Sequence, residues 1–565
     1  MRKLEQLLRE TDHKGYPAYK QLKGRYRFPA FELSIDHVQG DPFAAPSSVS
    51  LRLTGSQHGI PKEYYETKHR RVMLQDFLLR GFGRELAKYD HRAKGSGKSG
   101  ALSVSRCHQE VLERSALQLD PASGLLTVRF SVGFPAAGRT TLSMELKKIL
   151  MEYIPDCAAH SLRFAALSKP TLQQWIRLSD DQECIRSQLS EQGLVAFVGN
   201  GACLPRKSGI DDAPMKEGTA FFSPKEHEIT LSLPEGRSIT GLGIKQGITL
   251  IVGGGYHGKS TLLKALEKGV YNHIPEDGRE YVITEATAMK IRSEDGRSVK
   301  KLDISPFIRN LPNNRDTTCF STEDASGSTS QAANTVEAIL SGSKTLLIDE
   351  DTCGTNFMVR DELMQRVVLQ SQEPIVPFLS RMRQLYESKG VSTILVAGSS
   401  GAYFSESDCI FQMNEYIPAD ITEKARQAVK IDGAEAVIPP DKLTDWQDLR
   451  VPFANKKVTE SRKIKTKGAG TDAVILNHES VELRFVEQVV DSEQTNLLGI
   501  MLRYLEENSF NGKKALADCI NAVYRAYSAQ SFQAVTPGQS IPGNLADVRI
   551  QELWAMVNRY RGLKV

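Results

Sequence analysis

Cysteine is scarce in this chain. Its eight residues are scattered, with no Cys-x-x-Cys pair among them. That spacing argues against a zinc module and against a disulfide scaffold. It points to a reducing compartment, and the expected location is the cytoplasm. Long apolar runs are missing too. The longest, such as Thr249–Val252 and Thr345–Ile348, are strand-length and fall far short of the ~18 residues of a membrane span. The first ten residues form an amphipathic, acid-containing pattern without the apolar core of a secretory leader. A protein with no membrane domain of its own is therefore expected. Nor is there a large excess of one charge: 72 Lys+Arg face 68 Asp+Glu, a net of +4. That balance by itself does not imply a nucleic-acid partner. Hydrophobic residues at 40% and charged residues at 25% exclude wholesale disorder. At about 100–200 residues per domain, 565 residues allow three to five domains or sub-domains.

The chain has no fixed-period repeat and divides by pattern. Residues 1–235 mix strand patterns (Ser48–Leu53, Leu125–Phe134) with helix patterns (Val72–Leu86, Leu142–Ile154), an α+β region in which Gly199–Pro214 reads as a loop. Residues 236–435 alternate strand and helix: Gly247–Val252, Lys259–Lys268, Thr345–Ile348, Phe378–Ser388 and Val391–Ala397. Apolar strands alternating with helices predict an α/β fold with a parallel sheet covered on both faces. Residues 436–470, with Pro439-Pro440 and a Lys/Arg run, read as a basic linker, and 471–565 as a mostly helical domain. In that domain Leu516, Cys519, Ile520, Val523, Tyr524 and Tyr527 form one helical stripe and Leu553, Trp554, Val557 and Tyr560 another; both stripes are expected to be core.

The strongest motif is Gly253-Gly254-Gly255-Tyr256-His257-Gly258-Lys259-Ser260-Thr261, a GxxxxGK[ST] loop between an apolar strand and a helix. Glycines let backbone N–H groups converge on a phosphate, and the helix N-terminus adds partial positive charge. Lys259 can reach the β- and γ-phosphates, and the Ser260 hydroxyl can ligate Mg²⁺. A similar string, Lys94-Gly95-Ser96-Gly97-Lys98-Ser99-Gly100, lacks the first glycine at the required spacing and a preceding strand, and reads as a flexible basic loop.

The segment Lys344-Thr345-Leu346-Leu347-Ile348-Asp349-Glu350-Asp351 is a buried-strand pattern ending in acids. Ligands of such sheets bind outside the carboxyl ends of the strands. Asp349 is therefore expected in the Mg²⁺ shell, with Glu350 placed to polarise an attacking water. One helix and one turn earlier, Ser326, Gly327 and Ser328 open a helix, a second anion site. A two-fold dimer would sandwich each nucleotide between Lys259 of one chain and Ser326 of the other.

The phosphate loop, the Ser-Gly signature, the Asp-Glu strand and the following Thr352-Cys353-Gly354-Thr355-Asn356 stand in the order of ABC-type ATPases. The strings GGGYHGKST, ASGSTSQAAN, LLIDEDT and TNFMVRD resemble those of the soluble family called "predicted ATPase of the ABC class", found in bacteria and in the kinetoplastid mitochondrial RNA-editing apparatus. The resemblance implies a central ABC-type ATPase domain with flanking N- and C-terminal domains. It also implies ATP and Mg²⁺, a homodimer and, for the editing-associated member, RNA binding. Three features depart from the ABC pattern. The signature reads Ser-Gly-Ser-Thr where transporters have Ser-Gly-Gly-Gln. The strand Val391–Ala397 runs into Gly398-Ser399-Ser400-Gly401 instead of a switch histidine, so the γ-phosphate sensor is a serine or is missing. No Q-loop glutamine stands out, and Lys290–Gly296 is the stretch that could replace it.

Basic residues are clustered. Residues 1–27 hold Arg2, Lys3, Arg9, Lys14, Lys20, Lys23, Arg25 and Arg27, and residues 455–467 hold Lys456, Lys457, Arg462, Lys463, Lys465 and Lys467. A third series, Arg70 to Lys98, is interleaved with Tyr64, Tyr65, Phe77, Phe82 and Tyr89, a pattern suited to single-strand binding by stacking and phosphate neutralisation. Phe77 also sits at core-like helical spacing. An ATP-dependent RNA-binding ATPase is the leading expectation. A small-molecule kinase, whose ATP use would need an acceptor, and a nucleotide-gated scaffold, indifferent to Glu350→Gln, remain alternatives. Phe221 and Phe222, upstream of the loop, are expected to be core.

Overall fold

The computed structural model describes residues 1–215, 217–360, 373–398, 400–432, 441–443, 447–461, 463–538 and 540–565. Two compact units are present: Met1–Asp180 with Thr536–Asp547, and Asp181–Val535 with Val548–Val565.

The first unit is built on an antiparallel sheet. Its strands run Gly24–Arg27, Glu32–His37, Ser47–Leu53, Leu126–Val132 and Leu102–Ser103, with Leu117–Leu119 also pairing Leu126–Val132. Period-2 alternation sends Leu33, Ile35, Val49, Leu51, Val128 and Phe130 inward. The helix Lys68–Ala87 buries Leu74, Leu78, Leu79 and Phe82. This packing corrects the expectation of a stacking surface. Tyr64, Tyr65, Phe77 and Phe82 are buried, and Tyr89 lies flat on Tyr153 with ring centroids 4.6 Å apart. Arg70 is committed to a two-pronged bond with Asp180. Lys94–Gly100 is not a free loop either: Ser96 N donates to Ala136 O at 2.7 Å, Lys98 N to Pro42 O at 2.8 Å and Gly100 N to Gly133 O at 2.9 Å.

The second unit contains the expected parallel sheet. Its order is Met289–Ile291, Thr345–Asp349, Ser392–Val396, Ile248–Val252, Cys409–Asn414 and Ile417–Asp420. The first five strands are parallel, and the last closes a hairpin antiparallel to its neighbour. Helices Lys259–Lys268, Gly327–Leu340 and Leu379–Lys389 fall where apolar periodicity predicts them. A four-stranded antiparallel sheet joins Glu228–Ser232, Ser238–Lys245, Leu194–Gly199 and Val282–Thr284. Residues 181–235 therefore fold with the second unit, and the first division falls near 180 instead of 235. Within Gly199–Pro214, Arg206–Ser208 and Asp211–Pro214 pair as a short hairpin.

The stretch expected as a linker contains structure. Lys456–Thr459 is a helical turn, and Thr466–Ala469 is the first strand of a three-stranded sheet with Ala473–Leu476 and Glu479–Glu482. Pro439, Pro440 and Arg462 lie outside the described residues. The helix Ser492–Asn508 packs on this sheet, so the C-terminal region carries a sheet as well as helices. Both predicted stripes are core except Tyr524, which is half-buried. Among the described residues no helix is long and apolar enough to cross a membrane.

Candidate nucleotide site

The strand Ile248–Val252 is buried between two parallel neighbours. Its apolar run ends at Gly253, where the chain turns into a helix that begins at Lys259. Two glycines are dictated by the surroundings. Gly253 has φ +145°, and a Cβ there would stand 2.5 Å from Met413 O; Gly258 has φ +95°, and a Cβ would stand 2.6 Å from the Tyr416 ring. No larger residue fits either place without moving backbone or ring. The loop is thus seated on the hairpin turn after Cys409–Asn414. That turn, Glu415-Tyr416, has left-handed φ at both positions (48° and 69°) although neither is glycine. Its amides face His257: Glu415 N–H donates to His257 Nδ1 and Tyr416 N–H to His257 O, both at 3.0 Å. Strained backbone of this kind persists only where the surrounding structure holds it.

Lys259 Nζ folds back on the loop, donating to Gly253 O at 2.7 Å and Gly254 O at 2.8 Å. Gly254, Gly255 and Ser260 are exposed, Thr261 is half-buried, and Tyr256 is fully exposed with φ +65°. The result is an open cradle of backbone amides, a helix N-terminus and an ammonium group, which is the chemistry a polyphosphate requires.

The carboxyl ends of three strands line up beside it. Val396 is in register with Ile251 on one side and Asp349 on the other. Asp349 therefore ends its strand level with Ile251, near the end of the strand that leads into the phosphate loop. Its carboxylate is buried and accepts from Asp351 N–H. A hydroxyl at Ser260 and a carboxylate at Asp349 are hard oxygen donors. That sparse set fits Mg²⁺, which keeps several waters and takes its remaining ligands from substrate phosphates. No cluster of three or more His, Cys, Asp or Glu suited to a metal occurs among the described residues.

Glu350 follows, half-buried. Gly398 N–H donates to its Oε2 at 3.0 Å, and the Tyr403 hydroxyl reaches its Oε1 at 3.5 Å. Sequence reasoning missed both partners. Ser399, between them, lies outside the described residues.

The signature residues are held elsewhere. Ser326 precedes the helix Gly327–Leu340, and its hydroxyl pairs with Thr329 Oγ1 at 3.0 Å. A Cβ on Gly327 would meet Ser293 Oγ at 2.8 Å. Gln331, fully buried, accepts from Gly354 N–H at 2.8 Å and ties Gly354-Thr355-Asn356 to this helix. Ser328 N lies 3.4 Å from a Cβ position on Gly354. The stretch Lys290–Gly296 bridges the acidic strand and the signature helix, with Ser293 N–H on Thr352 O and Glu294 N–H on Ser330 Oγ. The structure thus brings together the phosphate loop, Asp349 and Glu350. Ser326, Gly327 and Ser328 stand on the far side of the acidic strand. Phe221 is buried as expected, whereas Phe222 is 54% exposed and is not core.

A buried ionic lattice fixes the signature helix from behind. Arg297 binds Glu337 at 2.7 Å, and Arg559, on the C-terminal helix Ile550–Arg559, binds Glu294. Burial raises the Glu294 carboxyl, but the charges of Arg559 and Arg297 outweigh it and hold the group below the ordinary range.

Comparison with known proteins places three matches along the chain. Residues 1–165 match the N-terminal domain of ATPases of the ABC class, 168–446 the ABC ATPase P-loop domain, and 465–565 the MRB1590 C-terminal domain. An uncharacterized protein of Methanocaldococcus jannaschii is 34% identical over 190 residues, which cover 32% of this chain and 42% of that protein. The chain thus spans about two-fifths of the length of that relative. Among solved structures, cbiO1 from Clostridium perfringens, part of an ABC transporter complex, is 12% identical with a TM-score of 0.27; it covers 42% of this chain and 92% of its own. The ADP conformation of an ATP-binding cassette of an ABC transporter is also 12% identical, with a TM-score of 0.25, covering 43% and 99%. By its three consecutive family matches, the chain belongs to the ATPases of the ABC class.

Proposed function

We propose that this protein is a Mg²⁺-dependent ATPase whose two nucleotide sites form between two copies of the chain, and that its nucleotide cycle is coupled to binding single-stranded RNA. The observation that carries the reading is Glu350, a carboxylate fixed by two donors at the end of the acidic strand, one strand removed from the strand that leads into the phosphate loop. A kinase of a small molecule needs a pocket for its acceptor; a fixed carboxylate beside the cradle suits activation of water.

In this reading the loop amides, Gly254 to Gly258, and Lys259 bind the phosphates, Lys259 leaving the carbonyls of Gly253 and Gly254 for the β- and γ-oxygens. Ser260 and Asp349 would hold Mg²⁺, which neutralises phosphate charge when bound. Glu350 takes a proton from water as the water oxygen bonds to the γ-phosphorus. The bond from that phosphorus to the bridging oxygen breaks, and its electron pair leaves with ADP.

Separation of Ser326, Gly327 and Ser328 from the phosphate loop within one chain supports completion of the site by a second copy. In the first unit, the eight bases of residues 1–27 are all exposed, and among the described residues only Arg9 forms an ion pair, with Glu5. Lys14, Arg139, Lys94 and Lys98, also exposed, surround the hairpin of Ala136–Ala137 and Thr140–Thr141: Thr141 N donates to Lys14 O and Gly138 N to Ser96 Oγ. Lys456, Lys457, Lys463, Lys465 and Lys467 are exposed as well. Such surfaces suit a phosphate backbone, and the C-terminal match to a protein associated with RNA editing favours RNA. Sedimentation of Glu350→Gln with ATP and Mg²⁺ tests the shared site. A shift to dimer with ATP and not with ADP is expected; a monomer under both conditions contradicts it.

A further inference from the structure

A carboxylate acting as a base needs a fixed direction as well as a place. Glu350 sits in a short turn after its strand, Glu350–Thr352, where its side chain would otherwise choose among several rotamers. Two donors from a different part of the chain hold it. One is the Gly398 amide, just past the strand Ser392–Val396. The other is the Tyr403 phenol.

Tyr403 is unusually placed for a tyrosine. It lies in the short helical turn Ala402–Phe404, is fully buried, and packs within the apolar core under the parallel sheet. Its backbone is pinned, Ser407 Oγ donating to Tyr403 O at 2.7 Å. A phenylalanine would fill the same volume, so the hydroxyl has to be accounted for separately: buried phenols are kept where they find a partner. The partner here is Glu350 Oε1. Burial, and then the Glu350 charge, push the phenol far above its ordinary pKa, so it remains a proton donor throughout the working range.

We propose that Tyr403 is a positioning residue for Glu350: its buried hydroxyl and the Gly398 amide together orient the carboxylate toward the attacking water, at the strand end where no histidine is present. This inference rests on Glu350 being the base of ATP hydrolysis. Tyr403 touches neither water nor phosphate in this account; it acts through the carboxylate alone.

The test is steady-state ATP hydrolysis by the full chain with Mg²⁺, comparing wild type with Tyr403→Phe. The hydroxyl is removed and the ring remains, so kcat is expected to fall about tenfold while KM for ATP stays unchanged, the size expected for one hydrogen bond to a charged group. A purely structural role would lower ATP binding and the melting temperature along with kcat. Combined with Glu350→Gln, Tyr403→Phe should cost nothing further, since the two act as a unit. A second variant removes the other donor and guards against misfolding of the first. Gly398 has open space around a Cβ position, and Gly398→Pro deletes the N–H. It should lower kcat more than Gly398→Ala, which keeps the amide.

A wild-type kcat in Tyr403→Phe overturns the inference. So does a fall in kcat, ATP binding and melting temperature together. A wild-type chain that binds ATP and never hydrolyses it overturns the proposed function, and this inference with it.

Discussion

The backbone amide of Gly398 donates to Oε2 of Glu350 across 3.0 Å, joining two neighbouring parallel strands at their carboxyl ends. This one bond aligns the acidic strand with the strand beside the phosphate loop. It holds Oε2 of Glu350 at the carboxyl end of the sheet.

Lys259 is bonded to its own loop, on Gly253 O and Gly254 O. Those bonds, one part-buried and one exposed, add little to stability, whereas in the proposed site its charge serves the phosphate. Lys259→Ala should weaken ATP binding by about a hundredfold or more, measured by calorimetric titration, with the melting temperature of the free chain unchanged. Equal binding by the two proteins would remove the loop from the site.

The basic N-terminal segment gives a second expectation. Arg25 and Arg27 alternate with buried Tyr26 and so share the open face of their strand, with Lys20 and Lys23 just before it. Reversing Lys20, Lys23 and Arg25 to Glu should weaken single-stranded RNA binding more than about tenfold near 0.1 M salt. The slope of log K against log salt should fall by about 0.7 for each phosphate that is no longer neutralised. Fluorescence anisotropy across salt concentrations measures both, and unchanged affinity would move the RNA surface elsewhere.

The pairing of Arg559 with Glu294 is buried. Removing one partner of a buried pair leaves an uncompensated charge, a loss of about 3–5 kcal/mol. Arg559→Ala should therefore lower the urea midpoint, and Glu294→Gln in the same chain should recover part of the loss. A midpoint within error of wild type would show that the pair does not anchor the signature helix.

Asp277 is buried against His273 and Arg206, each 2.8 Å from Oδ2. Burial works against its charge, but its interactions with His273 and Arg206 prevail and bring its carboxyl down to about 2 from an ordinary 3.8. A lowered folded value stabilises above the unfolded value, and that stability disappears as pH falls through the folded one. The difference of roughly two pH units corresponds to about 2–3 kcal/mol. Urea unfolding should show Asp277→Asn less stable by that amount from pH 7 to 5, with the gap closing below pH 4. A gap that persists unchanged at pH 3 would contradict the ionic account.

Much of the second unit was legible in the sequence because its signals are local. The apolar run before Gly253, the helix from Lys259 and the strand ending in Asp349 each declare themselves within ten residues. What stayed hidden depends on distant pairing. Tyr403 is 53 residues from Glu350, and nothing around it marks a polar task for an otherwise apolar position. The strand Leu194–Gly199 pairs forward with Ser238–Lys245 and Val282–Thr284, so the division drawn at residue 235 from local pattern differs from the one near 180. In the helix Lys68–Ala87, aromatic and basic residues interleave as they would in a stacking surface. Only tertiary packing shows that the rings face the core.

The central claim is tested most directly by ATP turnover of the full chain with Mg²⁺, with and without a random single-stranded RNA pool, alongside Glu350→Gln. RNA should change the turnover rate of the wild type, and Glu350→Gln should lose about a hundredfold or more of it while still binding nucleotide. Turnover unaffected by Glu350→Gln, or an RNA pool that neither binds at moderate salt nor alters the rate, would contradict the account.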